Sequence, residues 1–346
     1  MENTESKNRN LNKAKNAKFD EFYTQYFDIE QEVNAYLDFD KDTFRGKTIL
    51  LPCDDPEWSN FTKYFAQSFE RLGLKKLIST SYAPESKNVK FDYEPTLFET
   101  SDPQFDSDKT KTNGKIFTLT RDKNQNGRID IYDLEWEYLQ GDGDFRSEEI
   151  IKLRDEADMI ITNPPFSLFR EFLAWIVEAE KQFLIIGSMN AITYKEVFPL
   201  LKNNEMWLGV HSGAKEYIKS DGEIQKMGNT AWFTNLDHGR RHKPLILMTM
   251  ADNIRYSKHK EIRGIGYKKY DNYDAIEVPY TIAIPDDYEG VMGVPISFLD
   301  KYCPEQFEIL GSNRGVDQDP NGVYGRGSLI NGKEVFKRIF IKKKQQ

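Results

Sequence analysis

The 346 residues hold 48 Lys and Arg against 56 Asp and Glu, a formal net charge of −8, and 13% of them are aromatic. That length accommodates one large α/β domain or a domain with an appendage, and 18 Tyr with 23 Phe supply a sizeable core. No apolar run approaches the roughly 18 residues of a membrane span, and the polar start MENTESKNRN is no secretory signal. Two cysteines, Cys53 and Cys303, are too few for a disulfide framework. A cytoplasmic protein without a membrane partner is the expectation.

In chain order, a basic stretch KNRNLNKAKNAK precedes FDEFYTQYFDIEQEVNAYL (19–37), which has helical spacing. Thr48-Ile49-Leu50-Leu51 reads as a buried strand ending in PCDDPE, residues 57–72 as helix stopped by Gly73, and 74–80 as the next strand. Residues 84–115, rich in Pro, Asp, Ser and Lys, read as a surface insertion. IFTLTRDKNQNGRIDIYDLEW (116–136) alternates around Asn126-Gly127, a hairpin signal. GDGDF (141–145) is a turn before a polar helix, and Met159 to Thr162 a strand. Leu168, Phe169, Phe172, Leu173, Ile176 and Val177 form a helical stripe, followed by a strand at 183–187 and a helix near 193–204. Further strands are predicted at 206–210, 230–236 and 244–250, and 251–346 is loop-rich. The alternation predicts an α/β fold with a doubly wound, mainly parallel sheet, an antiparallel hairpin and a loop-rich appendage. Ligands on such sheets sit outside the carboxyl ends of strands, where both PCDDPE and NPPF fall.

Asn163-Pro164-Pro165-Phe166 cannot extend its strand, because proline donates no ladder hydrogen bond. The result is a stiff turn that presents an amide, exposed carbonyls and an aromatic ring. An amino group on a heteroaromatic ring is a poor nucleophile, because its lone pair is delocalised. Two acceptors aimed at its hydrogens favour the tetrahedral nitrogen of an attack, and the Asn163 side-chain oxygen with the Pro164 carbonyl could be that pair. Phe166 offers a stacking face.

This tetrapeptide resembles the catalytic motif of S-adenosyl-L-methionine-dependent amino methyltransferases. Over nearly its whole length the chain is similar to EcoRI-type adenine-specific DNA methyltransferases, through DEFYTQYFDIE, CDDPEWSNFTKYFA, GDGDFRSEE, TNPPFSLFRE, WLGVH, YDNYDAI and GVMGVPI. The resemblance implies a Rossmann-like methyltransferase fold and transfer of a methyl group to the 6-amino group of an adenine flipped from duplex DNA. It implies that Asn163, Pro164, Pro165 and Phe166 are catalytic. Cofactor contact is implied for Phe22, Tyr23 and Thr24, for Pro52, Cys53, Asp54 and Asp55, and for Asp142, Asp144 and Phe145. The working unit is expected to be a monomer, and a cognate restriction endonuclease is a candidate partner of the same system without direct contact. Two features depart from the wider class: CDDP stands where a Gly-x-Gly turn is usual, and Ser79-Thr80-Ser81 replaces the acidic residue after the second strand.

Charge is uneven along the chain. Residues 1–200 hold 26 Lys and Arg against 37 Asp and Glu, whereas residues 201–346 hold 22 against 19. Within 240–269 nine Lys and Arg face only Asp252 and Glu261, a phosphate-tracking footprint. A solvated face explains it equally well in isolation. Arg240, Arg241 and Lys243 are the candidate DNA contacts. The expected partition is a basic arm and cofactor-motif helix over 1–40, a catalytic domain over 41–250 with an insertion at 84–138, and a DNA-recognition region over 211–346. Competing readings are an RNA or protein-glutamine methyltransferase, or a DNA-binding relative without catalysis. Asp54, Asp55 and Asp144 also suit helix amino termini. Cys53 reads as packing. Residues 122–133 fit a calcium-loop pattern, but their strand-like flanks favour a hairpin, and His238 and His242 show no carboxylate close in sequence. No metal site is therefore expected.

Overall fold

The computed structural model describes residues 22–83, 102–213, 216–219, 224–314, 319 and 321–345. The basic amino-terminal arm and residues 84–101 of the expected insertion lie outside them. The chain divides into two compact units, Met1–Ser188 with Gly213–Trp232, and Met189–Ser212 with Phe233–Gln346.

In the first unit, β1 (Phe22–Thr24) and α1 (Tyr26–Phe39) precede β2 (Thr48–Leu51), α2 (Asn60–Gln67) and β3 (Lys76–Ser81). Then come β4 (Lys115–Leu119), β5 (Glu135–Tyr138), α3 (Glu148–Glu156), β6 (Met159–Thr162), α4 (Phe169–Glu178) and β7 (Gln182–Ser188). β8 (Trp207–Ser212) belongs to the second unit, and β9 (Glu216–Lys219), β10 (Ile224–Lys226) and the start of β11 (Thr230–Thr234) return to the first. The main sheet runs β5-β4-β3-β2-β6-β7-β11 within this unit. β3, β2, β6 and β7 are parallel neighbours, and β4 and β5 add antiparallel strands. The architecture is mixed α/β with a large, mostly parallel sheet.

Every residue of β2 and β6 is buried, which is why both read as unbroken apolar runs rather than alternating ones. Asp158 sets their register. Its carboxylate accepts from the Thr48 amide at 2.7 Å, and its own amide donates to the Thr48 carbonyl at 2.9 Å. The α4 stripe buries Phe169, Phe172, Leu173 and Ile176. Gly187 on β7 makes room for it, since a Cβ there would stand 2.4 Å from the Phe169 ring.

Four local expectations are corrected. Phe22–Thr24 is a strand, not the start of a helix, because it pairs antiparallel with β9. The hairpin of β4 and β5 exists, but residues 120–134 connect the strands, not a two-residue turn at Asn126-Gly127. In that connection Asp133 accepts from the amides of Lys123, Asn124 and Asp130, and Asp122 from that of Gly127. The helix near 193–204 shortens to α5 (Phe198–Lys202), preceded by a 3-10 turn at Met189–Thr193. Finally, 244–250 is no strand. Leu245 exchanges both backbone hydrogen bonds with the Gln306 side chain, at 2.7 and 2.9 Å, and Ile246 is 98% exposed. Thr249 instead caps α6 (Met250–Tyr256).

The second unit holds a sheet of β12 (Ala275–Glu277), β13 (Val291–Pro295), β14 (Phe307–Ser312) and β17 (Arg338–Lys343) in the order β12-β13-β17-β14. β15 (Ser328–Ile330) pairs with β16 (Lys333–Val335). Tyr270, Tyr273, Ala275 and Phe340 form a buried cluster there. Among the described residues no helix is long and apolar enough to cross a membrane.

Candidate active site

β2 and β6 are adjacent and parallel, so their carboxyl ends bring Pro52–Asp55 beside Thr162–Phe166. This is also where the strand order reverses, with β3 on one side of β2 and β6 on the other. The β2 loop turns at Cys53, whose backbone is left-handed at φ 63° and whose amide donates to Thr80 Oγ1 at 3.1 Å. That turn stands where a glycine turn is usual, and it leaves the Cys53 thiol exposed, which corrects the reading of Cys53 as a packing residue. Asp55 accepts from the Glu57 amide at 2.9 Å and stays half-buried.

Asp54 points the other way. It is 7% exposed, with Oδ1 accepting from Ser59 Oγ and Oδ2 in hydrogen-bond contact with Thr162 Oγ1, each at 2.6 Å. Its backbone carbonyl accepts from Thr62 Oγ1 at 2.6 Å and from the Ser79 hydroxyl. Thr162 Oγ1 also lies 3.1 Å from the Pro52 carbonyl. Burial pushes the Asp54 carboxyl up to about 7, against the hydrogen bonds from Ser59 and Thr162, and the charge of Asp55 adds to the rise.

GDGDF folds against the end of β3. Gly143, at φ 87°, sits where a Cβ would meet the Ser81 carbonyl at 2.3 Å, and the Ala83 amide donates to the Asp142 carbonyl at 2.8 Å. Arg146 grips the Asp144 carboxylate through its backbone amide and its guanidinium, at 2.6–2.9 Å, and holds that carboxyl below the usual range. Phe145 is 5% exposed and packs edge-on against Phe172 and Trp175. Tyr82 is half-buried near Asp142 and Cys53, and its hydroxyl is pushed up to about 12 by burial and by Asp142. Sequence reasoning passed over Tyr82 while seeking an acidic residue at the end of β3. Its position directly after Ser79-Thr80-Ser81 was the available signal.

In Asn163-Pro164-Pro165-Phe166, the Asn163 side-chain oxygen is out of solvent and Pro164 is buried, while Pro165 and Phe166 are half-buried. The turn closes through the Leu168 amide donating to the Pro165 carbonyl at 2.9 Å. The Phe166 ring stands edge-on to Tyr217 at 6.4 Å and 88°. Tyr217, on β9, is fully buried. Thr24 of β1 is tied to α2 by its carbonyl, which accepts from Asn60 Nδ2 at 2.9 Å, and Tyr23 pairs with Ile218 across the ladder. The strand bearing Phe22–Thr24 therefore backs the strand bearing Tyr217. Nothing in the sequence spacing signalled that pairing.

Comparison with known proteins decides the family. The model for the adenine-specific methyltransferase EcoRI family matches residues 10–344. The chain belongs to this family. It is 42% identical to type II methyltransferase M.EcoRI of Escherichia coli, over 98% of this chain and 97% of that protein. M.MpnI of Mycoplasma pneumoniae and M.MgeORF184P of Mycoplasma genitalium are each 33% identical over 97% of this chain, with 98% and 99% of their own lengths covered. No solved structure gives a significant match.

In this family member, the basic run of the second unit splits in two. The Arg240 guanidinium bonds to the Val210 carbonyl and to Asp300. Arg241 is 8% exposed, lies 3.8 Å above the Trp207 ring, and bonds to Asn204 and Asp237. Of the three candidate phosphate contacts, Lys243 is the exposed one. Further along, Arg255, Lys258, Lys260, Arg263, Lys268 and Lys269 are exposed as well. His242 sits between Asp237 and Glu305, both at 2.8 Å; Asp237 stands directly before His238, so the expectation of no carboxylate close in sequence is corrected, and only Glu305 comes from far along the chain. Among the described residues no cluster of three or more His, Cys, Asp or Glu is arranged for a metal ion.

Proposed function

We propose that this adenine-specific methyltransferase acts on duplex DNA, transferring a methyl group from S-adenosyl-L-methionine to the 6-amino group of an adenine flipped out of the helix. The observation that carries the proposal is Asn163-Pro164-Pro165-Phe166 at the end of β6, beside the β2 loop at the point where the sheet order reverses. The donor set fits the cofactor. Asp55 and Asp142 supply carboxylates for an ammonium and a ribose, and Tyr82 supplies a ring face beside Cys53 and Asp142. A sulfonium cofactor supplies an electrophilic methyl group when bound. The Rossmann-like methyltransferase fold follows from the same arrangement.

The Asn163 side-chain oxygen and the Pro164 carbonyl accept the two amino hydrogens as nitrogen turns tetrahedral, and Phe166 stacks on the extruded base, braced by Tyr217. Phe145, packed between Phe172 and Trp175, shapes the cofactor side from behind. Asp144 does the same through Arg146. Phosphate contact falls to Lys243 and to the cations between Arg255 and Lys269. The protein works as a monomer, and any cognate endonuclease reads the same site without contacting it.

The test is methylation by the purified chain of duplex DNA, RNA and protein substrates, followed by mapping of modified adenines. Methyl transfer to a defined adenine in duplex DNA is the expected result. Transfer only to RNA or to glutamine would replace the substrate assignment.

A further inference from the structure

The network under the β2 loop contains one proton too few if Asp54 is ionised. Thr162 Oγ1 has a single hydroxyl proton but two acceptors in reach, Asp54 Oδ2 at 2.6 Å and the Pro52 carbonyl at 3.1 Å. Ser59 Oγ accepts from the Phe61 amide at 3.1 Å, so its own proton goes to Asp54 Oδ1. A proton on Asp54 Oδ2 completes the chain, from Ser59 to Asp54, to Thr162, to the Pro52 carbonyl. Every contact is then a hydrogen bond.

We propose that Asp54 is a positioning acid, which in its protonated form donates to Thr162 and so clamps the residue before Asn163 to the cofactor loop. This rests on the methyl-transfer reading of the tetrapeptide above. Both ends of the chain matter to that reading, because Pro52 opens the β2 loop and Thr162 is bonded covalently to Asn163. The surroundings favour the neutral form. Asp54 is nearly out of solvent, and burial raises its carboxyl to about 7. Its carboxyl meets Ser59 from the cap of α2 and Thr162 from β6, and its backbone carbonyl meets Thr62 from α2 and Ser79 from β3, all uncharged hydroxyls. Its ionisable neighbours on its own loop are Asp55, which opposes a second negative charge, and the Cys53 thiol.

The sharpest test is Asp54→Asn, because an amide reproduces the neutral acid: its oxygen accepts from Ser59 and its NH2 donates to Thr162. Single-turnover methylation, cofactor titration and thermal melting are measured on the full chain with duplex DNA. Asp54→Asn is expected to keep its rate and cofactor affinity within about threefold. Its rate should stay flat from about pH 6 to about pH 8.5, where the wild-type rate declines. Thr162→Val should slow the chemical step about tenfold or more with cofactor affinity little changed, because small misplacements of reacting groups are costly. Thr162→Ser should restore it. A Thr162→Val protein that fails to fold leaves the decision to the Asp54→Asn pH profile. A loss of cofactor affinity of roughly a hundredfold in Asp54→Asn would show a working carboxylate and overturn the proposal. So would a folded Thr162→Val enzyme at the wild-type rate. If Asn163→Ala is slow while Thr162→Val is fast, only the clamp is wrong; if Asn163→Ala is also fast, the methyl-transfer reading falls with it.

Discussion

Asp54→Asn also has a consequence for stability that can be worked from the structure. The folded carboxyl titrates at about 7 against 3.8 for an unperturbed Asp. Between those values the folded chain holds a proton that the unfolded chain has released, so wild-type stability falls as pH rises through the window. Each unit is worth about 1.4 kcal/mol, so the whole window amounts to something on the order of 4 kcal/mol. Asparagine has no such proton. Carboxyls lowered by partners, such as Asp144 beside Arg146, slope the other way but are present in both proteins and cancel in the difference. Urea unfolding at several values between about pH 4 and about pH 8 reads that difference. Four of the five tryptophans, Trp58, Trp136, Trp175 and Trp232, lie in the first unit, so fluorescence reports mainly its transition. Near pH 4 the two proteins should be similarly stable, and the variant should gain on the wild type steadily up to about pH 7. Parallel pH dependences, or a variant that loses ground as pH rises, would refute the reasoning and return Asp54 to the role of a charged carboxylate.

The remaining expectations concern packing and DNA. Gly187→Ala places a Cβ 2.4 Å from the Phe169 ring, so it should cost about 1–3 kcal/mol by overpacking and slow methyl transfer by displacing the helix behind Phe166; denaturant melts and single-turnover rates check both. Arg241→Ala removes the guanidinium buried on Trp207 and should cost about 2 kcal/mol of stability, measured by urea unfolding of the full chain. Replacing Lys258, Lys260, Lys268 and Lys269 together by Ala should weaken duplex binding and flatten its salt dependence, by about 0.9 in log–log slope for each phosphate no longer neutralised. A titration across a salt series measures that slope, and an unchanged one would move the interface elsewhere.

The framework of the site was legible because its strands are buried on both faces. TILL and MIIT therefore stand out as apolar runs, and prolines mark where each ends. The tetrapeptide could be read locally, since the chemistry proposed for it sits in four consecutive residues. What the sequence hid depends on partners far along the chain. Leu245 looks like a strand residue until Gln306 takes its backbone hydrogen bonds. Arg240 and Arg241 look like free cations until Asp300 and Trp207 engage them. Phe22–Thr24 follows helical spacing, but its ladder partner begins at Glu216. Asp54 and Asp55 are adjacent and chemically identical, yet one is half-open and the other faces Thr162, because the left-handed turn at Cys53 orients the loop.

Asn163→Ala is the most direct test of the methyl-transfer assignment. On the proposed mechanism it removes one of two acceptors that act mainly on the transition state, a loss worth about 2.7–4 kcal/mol, or roughly a hundred- to thousand-fold in rate. Under single-turnover conditions on duplex DNA, the rate should fall by that factor while DNA and cofactor affinities change far less. A near-normal single-turnover rate for Asn163→Ala would contradict the account.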